Sequence, residues 1–283
     1  MKRCIFLFIT ILMLISGVGI LLYPTVSHWV TMRFRELEIV SYSESVDQMD
    51  PAFLAAELKK AKTYNDALTG SDIVDPFIPG SGMVLPDNYA SILDIDGTIG
   101  YIDIPKINVY LPIYHGTSEE VLKKGVGHLE NTAFPIGGEG NHAVLTGHTG
   151  LSPTRLFTDL TELEAGDVFY ITVLEQTLAY EVDQILVVEP DDTESLRPVK
   201  GGDYVTLVTC TPYGINSHRL LVRGTSIPYD EGKADEAPDG GTVRLTDWRT
   251  VMIALSIILI AMAVTLYILA RRKKNKNRQG RER

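Results

Sequence analysis

The sequence predicts an all-β domain, an antiparallel barrel or sandwich, preceded by helix and flanked by two transmembrane helices. Three observations lead there. Seven short β-branched and aromatic runs (TIGYIDI, VYLPIY, HAVLT, DVFYITV, TLAYEVDQILVV, DYVTLVT and RLLVRGTSI) are separated by turn-forming residues. Between them only Ser118 to Lys124 reads as helix, so the spacing does not fit alternating βαβ units. Two runs of 20 residues without a charge, Cys4 to Tyr23 and Val251 to Ala270, lie outside this region.

Each uncharged run is about long enough to cross a ~30 Å hydrocarbon core as a helix. Lys2 and Arg3 precede the first, and the basic stretch 271–283 follows the second. Positive flanks stay in the cytoplasm, so both termini are expected inside the cell and residues 24–250 outside it. The chain divides accordingly into a membrane segment or signal anchor at 1–23, a helical region at 24–70, a loop at 71–88, a β domain at 89–230, a linker at 231–250, a transmembrane helix at 251–270 and a cytoplasmic tail at 271–283. Residues 4–270 hold 16 Lys and Arg against 35 Asp and Glu, a net charge of −19 hidden within the overall −10. That balance argues against nucleic acid as a partner.

Within the helical region, Asp50 and Pro51 sit as N-cap and first helical residue, and Phe53, Leu54, Leu58, Ala61 and Leu68 recur near a 3.6-residue period before Gly70. Residues 71–88 carry three prolines and two glycines and read as a surface loop.

The chain has two cysteines, and Cys4 lies in the first apolar run, which leaves Cys210 unable to form an intrachain disulfide in the β domain. A lone exported thiol is a candidate reactive residue. It ends the run Tyr204 to Val208 and precedes Thr211 and Pro212, so it is expected at a strand end. Arg219 follows the turn-rich TPYGINSH, and the two residues can face each other on adjacent antiparallel strands. His148 stands in TGHTG after another strand. A thiol that titrates at about 8.5 needs a base or a cationic neighbour to react near neutral pH, and an imidazole supplies either role. The oxyanion formed in acyl transfer needs a fixed donor, for which a permanently charged guanidinium is suited. His28, His115, His128 and His142 show no i, i+4 pairing for zinc. His218, beside Arg219, is a reserve candidate for the base.

TLVTC, at Thr206, Leu207, Val208, Thr209 and Cys210, together with TGH upstream and an Arg soon after, resembles the signature of the sortase family over roughly residues 50 to 229. The resemblance implies a closed eight-stranded β-barrel and a catalytic set of His148, Cys210 and Arg219, with no metal or organic cofactor. The stretches CTPYGINSHRLLVRG and YIDIPKINVYLPIYHGT resemble the pilin-polymerising sortases of class C, and Asp75, Pro76 and Phe77 resemble their lid motif. Thr149, after the histidine, departs from the Arg many of that subgroup carry. The family implies attack of the thiolate on the Thr–Gly bond of an LPxTG-like sorting signal, then resolution of the thioacyl enzyme by an amine. That amine is a pilin lysine in the pilin subgroup and a cell-wall precursor in housekeeping members. The lid comparison further implies that Asp75 pairs with Arg219 and that the Phe77 ring lies on the Cys210 sulfur. Two other readings stay open: a cysteine hydrolase that passes the acyl group to water, and a non-enzymatic barrel that binds envelope ligands.

Overall fold

The computed structural model describes residues 2–68, 73–77, 88–150 and 155–230, together with 257, 258, 261, 262 and 265. Eight strands close into a barrel: β1 (Gly100–Ile104), β2 (Val109–His115), β3 (Val126–His128), β4 (His142–Thr146), β5 (Val168–Val173), β6 (Gln176–Val188), β7 (Tyr204–Thr211) and β8 (His218–Ile227). Their order around the barrel is β1-β2-β3-β4-β7-β8-β6-β5.

The pairing is not antiparallel throughout. β2 pairs β3 in parallel and β4 pairs β7 in parallel. Each parallel pair needs a crossover, and helix α3 (Glu119–Lys124) supplies the first while the β5–β6 hairpin lies within the second. Strand interiors alternate as a barrel demands: Val205 and Leu207 of β7, with Leu220 and Val222 of β8, fill the main core together with Phe169, Ile171 and Tyr180. The opposite face of the same strands carries Val208 and Leu221, which join Ile73, Leu129, Val144 and Leu196 in a second, smaller cluster.

Two helices precede the barrel, α1 (Lys2–Asp47) and α2 (Pro51–Ala67). Asp50 caps α2 by accepting the Ala52 amide, and Pro51 sits in its first turn, where a missing N–H costs nothing. Leu54, Ala61 and Tyr64 form its buried face. Asn65 fixes the helix by bonding both the N–H (2.8 Å) and the C=O (3.1 Å) of Phe134, and buried Glu57 accepts the Leu93 amide at 3.1 Å. Buried backbone groups need such partners, so Asn65 ties α2 to the segment between β3 and β4 and Glu57 ties it to the chain that leads into β1.

The two flanking transmembrane helices, and the topology that put both termini in the cytoplasm and the barrel outside, are corrected by the structure. Among the described residues no helix is long and apolar enough to cross a membrane. The apolar run at 4–23 is built into α1, which continues as one helix through Arg33, Arg35, Glu36 and Glu38. The later part of that helix serves the barrel: Arg35 Nε donates to the Lys124 carbonyl at 2.7 Å, and Tyr42 Oη donates to the Ile99 carbonyl at 2.9 Å while accepting the Leu174 amide at 2.7 Å. The second run, 251–270, lies mostly outside the described residues.

Candidate active site

Cys210 and Arg219 are placed by one hairpin. The turn between β7 and β8 closes through the Ile215 and Asn216 amides, both donating to the Pro212 carbonyl, with Gly214 (φ +77°) and Asn216 (φ +58°) in the left-handed conformation the turn requires. The resulting register sets Cys210 directly opposite Arg219. Opposite residues share a face, so both side chains lie on the outer face that also carries Val208 and Leu221. Both are nearly buried, each 8% exposed.

The strand bearing Cys210 is tied to the loop bearing His148. Gly147 N donates to the Val208 carbonyl at 3.1 Å, which carries the β4–β7 pairing one residue further, and the Thr209 hydroxyl donates to the Gly147 carbonyl at 2.7 Å. Position 147 also leaves no room for a side chain, because a Cβ there would stand 2.8 Å from the buried Phe157 ring. Thr206 has a comparable task earlier in the same strand, on its opposite face. Its hydroxyl donates to His142 Nε2 at 2.7 Å, and His142 Nδ1 in turn donates to the Arg197 carbonyl at 2.9 Å. Three signature residues therefore have structural assignments: Thr206 and Thr209 anchor β7 to β4 and its loop, and Leu207 fills the core. His142 and His128 are fully buried in such networks. Burial pushes the His128 imidazole down to about 3, so it stays neutral.

Asp75, Pro76 and Phe77 lie against this site. Arg219 Nε donates to Asp75 Oδ1 at 2.9 Å and Nη2 donates to Asp75 Oδ2 at 2.6 Å, a bidentate pair whose side chains are 10% and 2% exposed. The remaining guanidinium nitrogen, Nη1, donates to the Asn216 and His218 carbonyls. The Phe77 ring centroid lies 5.2 Å from Arg219 Cζ and 5.6 Å from the His148 ring. The ring thus meets both the cation and the imidazole. Ile73, which the sequence reading did not single out, is buried in the second cluster and anchors the segment. Segments 69–72 and 78–87, the rest of the expected loop, lie outside the described residues.

Burial pushes the Cys210 thiol up, the Arg219 charge opposes that rise, and Asp75 adds to it. His148 Nε2 is shielded from water, makes no hydrogen bond, and lies 3.5 Å from Glu119 Oε2. His218 instead points to Glu189, 3.2 Å away, at an exposed position. No group of three or more His, Cys, Asp or Glu side chains among the described residues is arranged to hold a metal ion.

Residues 102–227 match the sortase domain family model. Two characterised relatives match over part of their length: sortase D of Bacillus subtilis, 34% identical over 131 residues, and sortase A of Bacillus anthracis, 33% identical over 132. These matches take in 45% and 47% of this chain, and the chain spans 63% and 61% of those relatives. Among solved structures, sortase C-1 of Actinomyces oris is 51% identical with a TM-score of 0.61, over 63% of this chain and 100% of that one. The chain belongs to the sortase family. A second neighbour, sortase C-1 of Streptococcus pneumoniae, is 46% identical with a TM-score of 0.66, over 69% of this chain and 100% of that one. The closed eight-stranded barrel is thus the sortase barrel, and the structural neighbours are sortases of class C.

Proposed function

We propose that this sortase is a class C cysteine transpeptidase in which Cys210, His148 and Arg219 act on an LPxTG-like sorting signal and a pilin lysine resolves the acyl enzyme. The observation that carries the reading is the cross-strand placement of Cys210 beside Arg219, with His148 joined to the same strand through Thr209 and Gly147. The catalytic unit is residues 89–230. In the first step the Cys210 thiolate attacks the threonine carbonyl carbon. A tetrahedral intermediate forms, the Thr–Gly C–N bond breaks, and His148 gives a proton to the departing amine. The guanidinium of Arg219 stabilises the oxyanion. In the second step the acceptor amine attacks the thioester carbon and loses a proton to His148. A new amide forms and the thiolate leaves. The experiment is incubation of the enzyme with an LPxTG-type peptide, separately with a pilin subunit, with a cell-wall peptide amine, and with neither. Amide product with the pilin lysine supports the proposal. Amide formed only with the wall amine makes it a housekeeping sortase, and free acid alone makes it a hydrolase.

The segment 73–77 acts as a lid over this machinery. While Asp75 holds Arg219, the guanidinium is occupied and the thiol is kept in its protonated form. Removal of Asp75 takes away one cause of the raised thiol pKa and leaves Arg219, which lowers it. Alkylation of Cys210 by a small thiol reagent, followed at that residue by peptide mass spectrometry, is therefore expected to be about 10- to 100-fold faster in Asp75→Ala/Phe77→Ala, since hydrogen bonds between charged groups are worth roughly 1.5–3 kcal/mol. The pH at which reactivity develops should also fall. Equal rates in the two proteins rule out the lid.

A further inference from the structure

Glu119 is the first residue of α3, after Ser118, whose hydroxyl caps the helix by accepting the Val121 amide. As sequence, an acidic residue there only complements the positive end of the helix. In the structure its two carboxylate oxygens are divided. Oε1 meets Lys123 Nζ at 3.1 Å, one turn along the helix, and Oε2 faces His148 Nε2 at 3.5 Å. The Lys123 bond, followed by the His148 charge, holds the Glu119 carboxyl below its ordinary range, so it is anionic wherever the enzyme works. His148 Nε2, for its part, is screened from water without a hydrogen-bond partner. A buried ring nitrogen left in that state is unfavourable unless a small closure completes the contact.

We propose that Glu119 is a positioning residue for His148: its carboxylate accepts the Nε2–H of the imidazole and stabilises the imidazolium formed when the thiol gives up its proton. The inference rests on His148 being the base of the proposed transfer. With Nε2–H directed at a carboxylate, Nδ1 is the nitrogen left to exchange protons with the thiol and with the leaving and entering amines. That is the division of labour between the two nitrogens of a catalytic histidine. Lys123 holds the carboxylate in place by its other oxygen. Glu119 of α3 faces the His148 ring and is itself bonded to Lys123, while Phe77, whose ring also meets His148, lies against Arg219 and its partner Asp75. Among the described residues, Glu119 is the anion within ion-pair distance of the ring.

The test is a charge series at one position, Glu119→Gln and Glu119→Lys, in the full chain. The His148 titration is read by NMR of the ring, and kcat/KM for peptide cleavage is read across pH. An exposed ion pair contributes little, so Glu119→Gln is expected to move the His148 titration downward and to lower kcat/KM by roughly two- to fivefold. Glu119→Lys should lower both further. The gap between wild type and Glu119→Gln should shrink as salt is raised, because the carboxylate is exposed. A structural role for Glu119 predicts losses that do not follow charge or salt. A His148 titration unchanged through the series overturns the proposal. Because that titration needs no turnover, it can fail or succeed apart from the transpeptidase reading, which falls instead if Cys210→Ala remains active.

Discussion

Cys210→Ala will form no acyl enzyme and no amide product from an LPxTG-type peptide and an amine, while its barrel melts close to the wild-type temperature. The loss is complete because the mechanism splits the transfer through a thioester, and no other cysteine lies between residues 24 and 250 to carry it. Folding survives because the substitution removes one atom from a site at the outer face of β7, away from the core residues Val205 and Leu207. A truncation of that size costs about 1 kcal/mol. Intact-mass spectrometry of the enzyme after mixing with peptide reads the adduct, and a thermal melt followed by circular dichroism reads the fold. Turnover retained in the variant would move the chemistry to another group.

What could be read from the residues, and what could not, divides by the range of the interactions. The facing of Cys210 and Arg219 was legible because a short turn rich in Gly, Asn and Pro joins their strands, and a hairpin fixes register locally. Asp50 and Pro51 gave the start of α2 for the same reason. Strand β3 escaped notice: it has three residues, one of them Gly127, too few for any alternation to show. The parallel pairing of β4 with β7 depends on partners some 60 positions apart, and no local pattern records it. His142 is buried against Thr206, and the partner that buries it comes from the distant β7, beyond any local pattern. The membrane reading failed for a related reason. Counting uncharged residues finds the apolar stretch, but not that the helix continues into a charged half fastened to the barrel by Arg35 and Tyr42.

The site shows the same division. Asp75 is 144 positions from Arg219, and only the resemblance to a lid motif pointed to their pairing. Ile73 was one apolar residue in a loop of prolines and glycines, and Glu119 was one of two glutamates opening a short helix. Nothing in their neighbourhoods marked either one. Both became informative once β4, β7 and β8 gave them something to touch.

Arg219→Ala is expected to lower kcat/KM by about 10² to 10³, the loss found when one donor to an oxyanion is removed. The assignment needs care, because Arg219 has two partners in the mechanism at different times. At rest it holds Asp75; during transfer it faces the oxyanion. Deleting it should therefore free the lid, so that Cys210 is more accessible to a small thiol reagent, and should also remove the cation that opposes the rise in the thiol pKa. Accessibility and catalysis move in opposite directions, and the double variant separates them. If Arg219 acted only by holding the lid, Asp75→Ala and Arg219→Ala would have similar peptide-cleavage rates, both at or above wild type. If it stabilises the oxyanion, Asp75→Ala stays active, whereas Arg219→Ala and Asp75→Ala/Arg219→Ala are equally impaired. Arg219→Lys sharpens the point: an ammonium keeps the charge but loses the planar fork that grips Asp75 through two nitrogens while a third reaches the Asn216 and His218 carbonyls. It should recover only part of the rate. An Arg219→Ala enzyme within a few-fold of wild type in kcat/KM would remove Arg219 from the chemistry and leave it a latch for the lid.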